Sequence, residues 1–179
     1  MKRKIDPKLE ENFLFNIIVP VFNAEKYIEK CLNSIVKQAH NRFQVLIVDD
    51  CSSDSSYEIA SKICEKNKHF KIFRNNRRIG ALNNIRNLLE KKIKEPTKTI
   101  DLIVDGDDYL YSSDVLNILE EKYNQTNCLI TYGSHISSNG VQGKKYPKLI
   151  REFNLFRKYF WYASHLKTFR HDLWLAINP

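Results

Sequence analysis

The sequence predicts an α/β fold, an open, twisted and mostly parallel sheet with helices on both faces, and three observations carry that prediction. Short β-rich apolar runs recur at a near-constant interval along the chain up to Tyr132. The gaps between them hold apolar residues three or four apart, the period of a helix lying on a core. The runs are apolar almost throughout instead of alternating, as parallel strands covered on both faces and joined by right-handed crossovers require.

Taken in order, "NIIVPV" (Asn16–Val21) is the first strand. Asn23 marks the start of a helix whose core positions are Tyr27, Cys31 and Ile35. "FQVLIVD" (Phe43–Asp49) is the second strand, and Ser53 or Asp54 opens a helix through Ile59 and Ile63. "FKIF" (Phe70–Phe73) precedes a helix with Leu82, Ile85 and Leu89; "TIDLIVD" (Thr99–Asp105) precedes one with Val115 and Leu119. "CLITY" (Cys128–Tyr132) is the fifth strand. The pattern then changes to a polar, glycine-bearing loop, "GSHISSNGVQGKKYP". Tyr146 to Trp174 is rich in aromatic residues with scattered Lys and Arg, and helices are expected around Phe153–Ser164 and Thr168–Ile177. The chain stops mid-pattern at "AINP", which reads as a truncated or minimal version of something longer. One domain is expected: an N-terminal extension over 1–15, an α/β core over 16–132, and an aromatic-basic segment over 133–179.

The 179 residues are 42% hydrophobic, enough for one buried core. No apolar span approaches the roughly 20 residues of a membrane helix, and "MKRKIDPKLEENFLF" leads into no signal-peptide core. A soluble cytoplasmic protein is expected. Cys31, Cys51, Cys64 and Cys128 form no CxxC pair and read as reduced thiols. The net charge of +8 favours anionic partners without choosing among phosphates, nucleic acid and membrane surface, and equally suits a solvated lysine-rich surface.

Polar residues gather behind three of the strands: "PVFNAE", "DDCSSD" and "DGDD". In open α/β sheets ligands bind beyond the carboxyl ends of strands, where strand order reverses, so an order 3-2-1-4 would bring these three clusters to one crevice. Asp105, Asp107 and Asp108 repel one another, and burying them is costly without a cation or donors. Mg²⁺ or Mn²⁺ takes such oxygen ligands together with substrate phosphates. An acidic turn with Asp108 as a helix cap is the plain alternative. Asp50 is placed to accept hydrogen bonds from a base edge or ribose hydroxyl. Arg74, Arg77, Arg78 and Arg86 surround Gly80 at the start of the third helix, where guanidinium groups and helix amides favour phosphate, unless they form a solvated face.

The four segments "IIVPVFNAEKYIEKCLNSIVKQ", "FQVLIVDDCSSDSS", "NNRRIGALNNIRN" and "LIVDGDDYL", in this order over Asn16 to Tyr132, resemble the nucleotide-sugar glycosyltransferases of family 2. The resemblance implies a GT-A-like, Rossmann-type fold and a UDP- or similar nucleotide-sugar donor. It further implies Mn²⁺ or Mg²⁺ and inversion at the anomeric carbon. By that resemblance Pro20, Phe22 and Glu25 line the nucleotide pocket, Phe22 standing for the usual tyrosine. Asp50 reads the base, and Cys51 replaces a frequent glycine or asparagine. Asp105 and Asp107, around Gly106, are the DxD motif: both are metal ligands, Asp105 also faces the ribose, and Asp107 serves catalysis. Arg78 is matched to the pyrophosphate.

The sequence departs from the family in its general base. No Glu-Asp pair follows Tyr132, which leaves His165, His171 and Asp172 as late candidates, His171 and Asp172 foremost. The acceptor stays open among glycan, protein and lipid, and no nucleic-acid partner is implied. The aromatic-basic tail reads as core, as an acceptor platform, or as a peripheral membrane contact. The competing reading is a truncated or inactive nucleotide-sugar-binding module without its own base. A haloacid-dehalogenase-type phosphatase is disfavoured because "DGDD" follows the fourth strand. A dinucleotide-binding domain lacks its GxGxxG, and a response-regulator pocket lacks paired acids after strand one.

Overall fold

A computed structural model of the chain describes residues 12–91, 93–143, 152 and 164–177, the side chains of residues 164 and 165 excepted. Six strands form one sheet in the order β3-β2-β1-β4-β6-β5. They are β1 (Leu14–Val21), β2 (Phe43–Asp49), β3 (Phe70–Arg74), β4 (Thr99–Ile103), β5 (Ile130–Gly133) and β6 (Ser164–Arg170). The helices are α1 (Ile28–Val36), α2 (Ser56–Glu65), α3 (Ala81–Leu89), α4 (Val115–Thr126) and α5 (His171–Ile177).

Strand β1 lies at the centre, parallel to β2 on one side and β4 on the other, and β3 extends the parallel half. Its alternate residues serve opposite faces, as the pleat requires. Phe15, Ile17, Val19 and Val21 join Ile28, Cys31, Leu32 and Ile35 of α1, Ala60 of α2 and Leu116 of α4 in the larger core. Ile18 points the other way, to Leu46, Val48, and Leu88 and Leu89 of α3, with Phe169 and Trp174 packed alongside. Each such fully buried aliphatic contributes about 1.5–3 kcal/mol, so two apolar faces explain why β1 is apolar almost throughout.

The far half of the sheet departs from expectation. Residues Thr168–Arg170, expected in a helix, end strand β6, and the helix starts only at His171. Thr168 is buried between the Tyr123 hydroxyl (2.7 Å) and the Thr131 hydroxyl (2.6 Å), while Phe169 faces the opposite core. This is a period of two. Strand β6 runs antiparallel between β4 and β5, so β5 is the sheet edge and has no contact with β4 in the ladder. The other helix expected in the tail, Phe153–Ser164, falls mostly outside the described residues, as do its aromatics.

A polar row crosses the α3/α5 face at the foot of the sheet. Asp101 accepts from Asn16 Nδ2 (2.7 Å) and lies 2.8 Å from His171 Nδ1, and Gln44 donates to Asn16 (3.0 Å). Asp101 and His171 are buried. Buried polar groups hold only when paired, so this row fixes where β6 and α5 dock. His171→Ala strips Asp101 of one partner and should cost about 3 kcal/mol. Urea unfolding checks this; an unchanged midpoint would mean that the pair does not clamp the C-terminal segment.

Candidate functional site

The carboxyl ends of β1, β2 and β4 meet, as the strand order requires, around a cleft of about 240 Å³. Pro20, Phe22, Asn23, Ala24 and Tyr27 reach it from the turn after β1, and Asp50 from the end of β2. Arg78, Ala81 and Asn84 come from the start of α3, and Asp105, Gly106 and Asp107 from the end of β4. Of the residues the sequence singles out for donor, metal and catalysis, Pro20, Phe22, Asp50, Arg78, Asp105, Gly106 and Asp107 are brought together here.

The pairing of β1 and β4 continues past the regular strands, Val104 N–H donating to Ile18 (3.0 Å) and Gly106 N–H to Pro20 (3.2 Å). A Cβ on Gly106 would stand 3.1 Å from the Pro20 carbonyl oxygen and 3.3 Å from Val21 Cγ2. Close approach to β1, and not a left-handed turn, is what requires glycine between the two aspartates. Asp105 is half-buried and Asp107 exposed. Their field reaches Cys31 beneath: burial first, then the charges of Asp108, Asp107 and Asp105, push its thiol up to about 12. Cys31 therefore stays protonated, and its Sγ lies 3.6 Å from the Asp105 carbonyl oxygen.

Asp50 is almost wholly buried. One oxygen accepts from Ile79 N–H (2.9 Å) and Asn75 Nδ2 (2.8 Å), the other from Gly80 N–H (2.8 Å). Burial pushes its pKa up, but the hydrogen bonds from Ile79, Asn75 and Gly80, with the Asn84 amide nearby, outweigh it and hold the carboxyl below its usual range. The two amides leading into α3 are thus committed to Asp50 and not left for a phosphate. Cys51 follows at φ 64, a left-handed conformation that explains why glycine or asparagine suits that position.

Much of the remaining motif chemistry is a staple between two turns. Asn23, expected to begin a helix, sits instead at φ 48 and accepts from Ser53 N–H (2.9 Å), its own N–H going to Ser52 Oγ (3.0 Å). Ala24 N–H donates to Ser56 Oγ (2.7 Å). Glu25, expected in the nucleotide pocket, accepts from Ser55 N–H (3.1 Å) and faces a neighbouring groove. Asp54 accepts from the N–H groups of Glu25 (3.1 Å) and Ser56 (3.0 Å).

The arginines divide. Arg74 pairs with Asp49 (3.2 Å) and Arg86 with Glu90 (2.7 Å), whereas Arg78 lines the cleft with its guanidinium 3.9 Å over the Phe22 ring. His171 and Asp172 are not brought to the cleft. Arg170 pairs with Ile100 at the start of β4, so both lie at the opposite end of the sheet. His171 is buried against Asp101, and Asp172 lies 3.5 Å from Arg170 Nε. The side chain of His165 is outside the described residues. Sequence reasoning missed Tyr27 and Asn84; Asn84 is buried in the cleft and its Nδ2 makes no hydrogen bond.

Among the described residues no three His, Cys, Asp or Glu side chains gather as a metal site. Asp105 and Asp107 offer two hard oxygen ligands, a fit for a divalent cation completed by substrate phosphate and water. All four cysteines are free, and no described helix is long and apolar enough to cross a membrane.

The family model for glycosyl transferase family 2 matches residues 16–177. The poly(ribitol-phosphate) beta-N-acetylglucosaminyltransferase TarS of Staphylococcus aureus (strain MW2) is 30% identical over 165 residues, covering 89% of this chain and 28% of that protein. The structure of S. aureus TarS 1–349 in complex with UDP matches with TM-score 0.70 at 26% identity, covering 93% of this chain and 49% of that one. The mannosyltransferase PcManGT from Pyrobaculum calidifontis, in complex with GDP-Man and Mn²⁺, shares the fold with TM-score 0.69 at 18% identity, over 96% of this chain and 48% of its own. The chain thus has the GT-A-like fold and spans about a quarter of that curated relative's length.

The lowered pKa of Asp50 contributes stability that is present above the ordinary carboxylate range and lost as pH falls from that range through the lower folded value. Asp50→Asn should therefore be less stable at neutral pH and show a shallower loss on acidification, read from urea midpoints across that range. Gly106→Ala should cost about 1–3 kcal/mol by wedging the ends of β1 and β4 apart, read from the same midpoints.

Proposed function

The chain belongs to glycosyl transferase family 2, and we propose that it transfers a sugar from a UDP-sugar to an acceptor hydroxyl with inversion, using Mn²⁺ or Mg²⁺. The observation that carries this is the convergence of Asp50, Asp105, Asp107 and Arg78 on one cleft at the carboxyl ends of three adjacent strands. The UDP complex of the S. aureus relative supports uridine as the donor base.

In this reading Asp50 receives the base on the lone pair its three hydrogen bonds leave. The Phe22–Arg78 stack walls the nucleotide, and the guanidinium faces the diphosphate. Asp105 meets the ribose, and Asp105 with Asp107 would hold the cation. Held there, a divalent cation would supply Lewis-acid stabilisation of charge on the departing diphosphate. The acceptor oxygen bonds to the anomeric carbon from the face opposite the diphosphate. The carbon–oxygen bond to phosphate breaks with its electrons on the nucleotide, and the hydroxyl proton passes to a base.

That base is not His171 or Asp172 in this reading, since both lie at the foot of the sheet. The same placement favours the second reading, a donor-binding module whose base comes from another segment or chain. Calorimetric titration of UDP with and without Mn²⁺, on wild type and Asp107→Ala, tests the donor site. Binding should need the metal and fall at least tenfold in the variant; metal-independent or unaltered binding would refute the assignment. Release of UDP from a UDP-sugar only when acceptor is added separates the transferase from the binding module.

A further inference from the structure

We propose that Asn84 is a base-reading residue of the cleft, donating from Nδ2 to a carbonyl of uracil while Asp50 accepts from the uracil N3–H. This rests on the glycosyl-transfer reading and adds to it the residue that selects the nucleobase.

Asn84 is 2% exposed, lines the cleft, and belongs to the first turn of α3. Its Oδ1 is fixed by Asn75 Nδ2 at 2.7 Å, which orients the amide and leaves Nδ2 as the free end. That Nδ2 is buried and without a hydrogen-bond partner. A buried orphan donor is costly, so a ligand that places an oxygen against it is favoured over one that does not. Asp50 sits beside it, and the same Asn75 amide donates to both, at 2.8 and 2.7 Å. Asp50 has roughly four acceptor sites and three are occupied. The buried floor of the cleft thus offers one acceptor next to one donor.

Uracil presents the complement, an N–H flanked by carbonyls. Guanine places two adjacent donor groups on that edge, more than one remaining acceptor site can receive. Cytosine and adenine match only by turning an amino group onto Asp50, which leaves its second N–H without a partner. Buried orphan N–H groups are tolerated less well than under-satisfied carbonyls, so uracil is the best fit.

The test compares UDP, CDP and GDP by calorimetry with Mn²⁺, on wild type and Asn84→Ala. Ribose 5-diphosphate serves as a base-free probe that reports whether the rest of the cleft is intact. Wild type should prefer UDP tenfold or more, and Asn84→Ala should lose most of that preference while its affinity for ribose 5-diphosphate is unchanged. In wild type alone, which needs no variant to fold, 2-thio-UDP or 4-thio-UDP should bind more weakly than UDP, because sulfur is a poor acceptor. Equal affinity for GDP or CDP, an unaltered preference in Asn84→Ala, or indifference to both thio substitutions would overturn the proposal. Metal-dependent GDP binding in place of UDP would sink this inference and leave glycosyl transfer standing. Absence of binding by every nucleotide diphosphate would sink both.

Discussion

A single buried carboxylate, Asp50, holds the working end of this molecule together. It gives up solvation that a surface aspartate would keep, and three hydrogen bonds replace it, two from backbone amides and one from Asn75. Those bonds join the end of β2 to the turn after β3 and to the first residues of α3. Without them the turn carrying Arg78 would have no fixed distance from the aspartates at the end of β4. The reciprocal bonds among Asn23, Glu25, Ser52, Ser53, Ser55 and Ser56 do the same for the turns after β1 and β2. The rim of the cleft is made of turns that satisfy one another's amides.

This explains which parts were legible in the sequence. The strands β1, β2 and β4 announced themselves because most residues on both of their faces are apolar, a property of the residues themselves. "DGDD" was legible because acids around a glycine at a strand end are chemically conspicuous. Glu25 and Asn23 were misplaced because their partners lie about thirty positions away in a different turn, and no local pattern records such a bond. Strand β6 was hidden for a related reason: its Thr168 is buried by hydroxyls on α4 and β5, so the segment shows no apolar run. His171 beside Asp172 resembled catalytic chemistry, yet the fold uses His171 to satisfy Asp101. Asn84 carried no signal because an asparagine on a helix is usually solvated.

Part of the positive charge serves the fold. Arg74 neutralises Asp49, which is fully buried, and also lies over the Tyr57 ring. Arg170 is buried, donates to the Thr97 carbonyl, and sits over the Phe13 ring. These arginines are structural, each supplying planar donors where a lysine would leave acceptors unmet. Arg78 differs in that its partner is an aromatic face at the cleft, which leaves its charge available to an incoming anion.

The placement of β6 between β4 and β5 has a kinetic meaning. Among the described residues β5 pairs with β6 alone in the sheet, and β6 begins some thirty residues further along the sequence. The β1–β4 pairing joins Leu14 to Thr99 and the β4–β6 pairing joins Ile100 to Arg170, so both are long-range closures whose entropic cost precedes any reward. During synthesis the flank of β4 is therefore an open ladder of unpaired amides for as long as the ribosome needs to release β6. An unpaired edge of that kind is a template for intermolecular strand pairing. Docking of β6 thus protects the flank of β4 as well as completing the sheet.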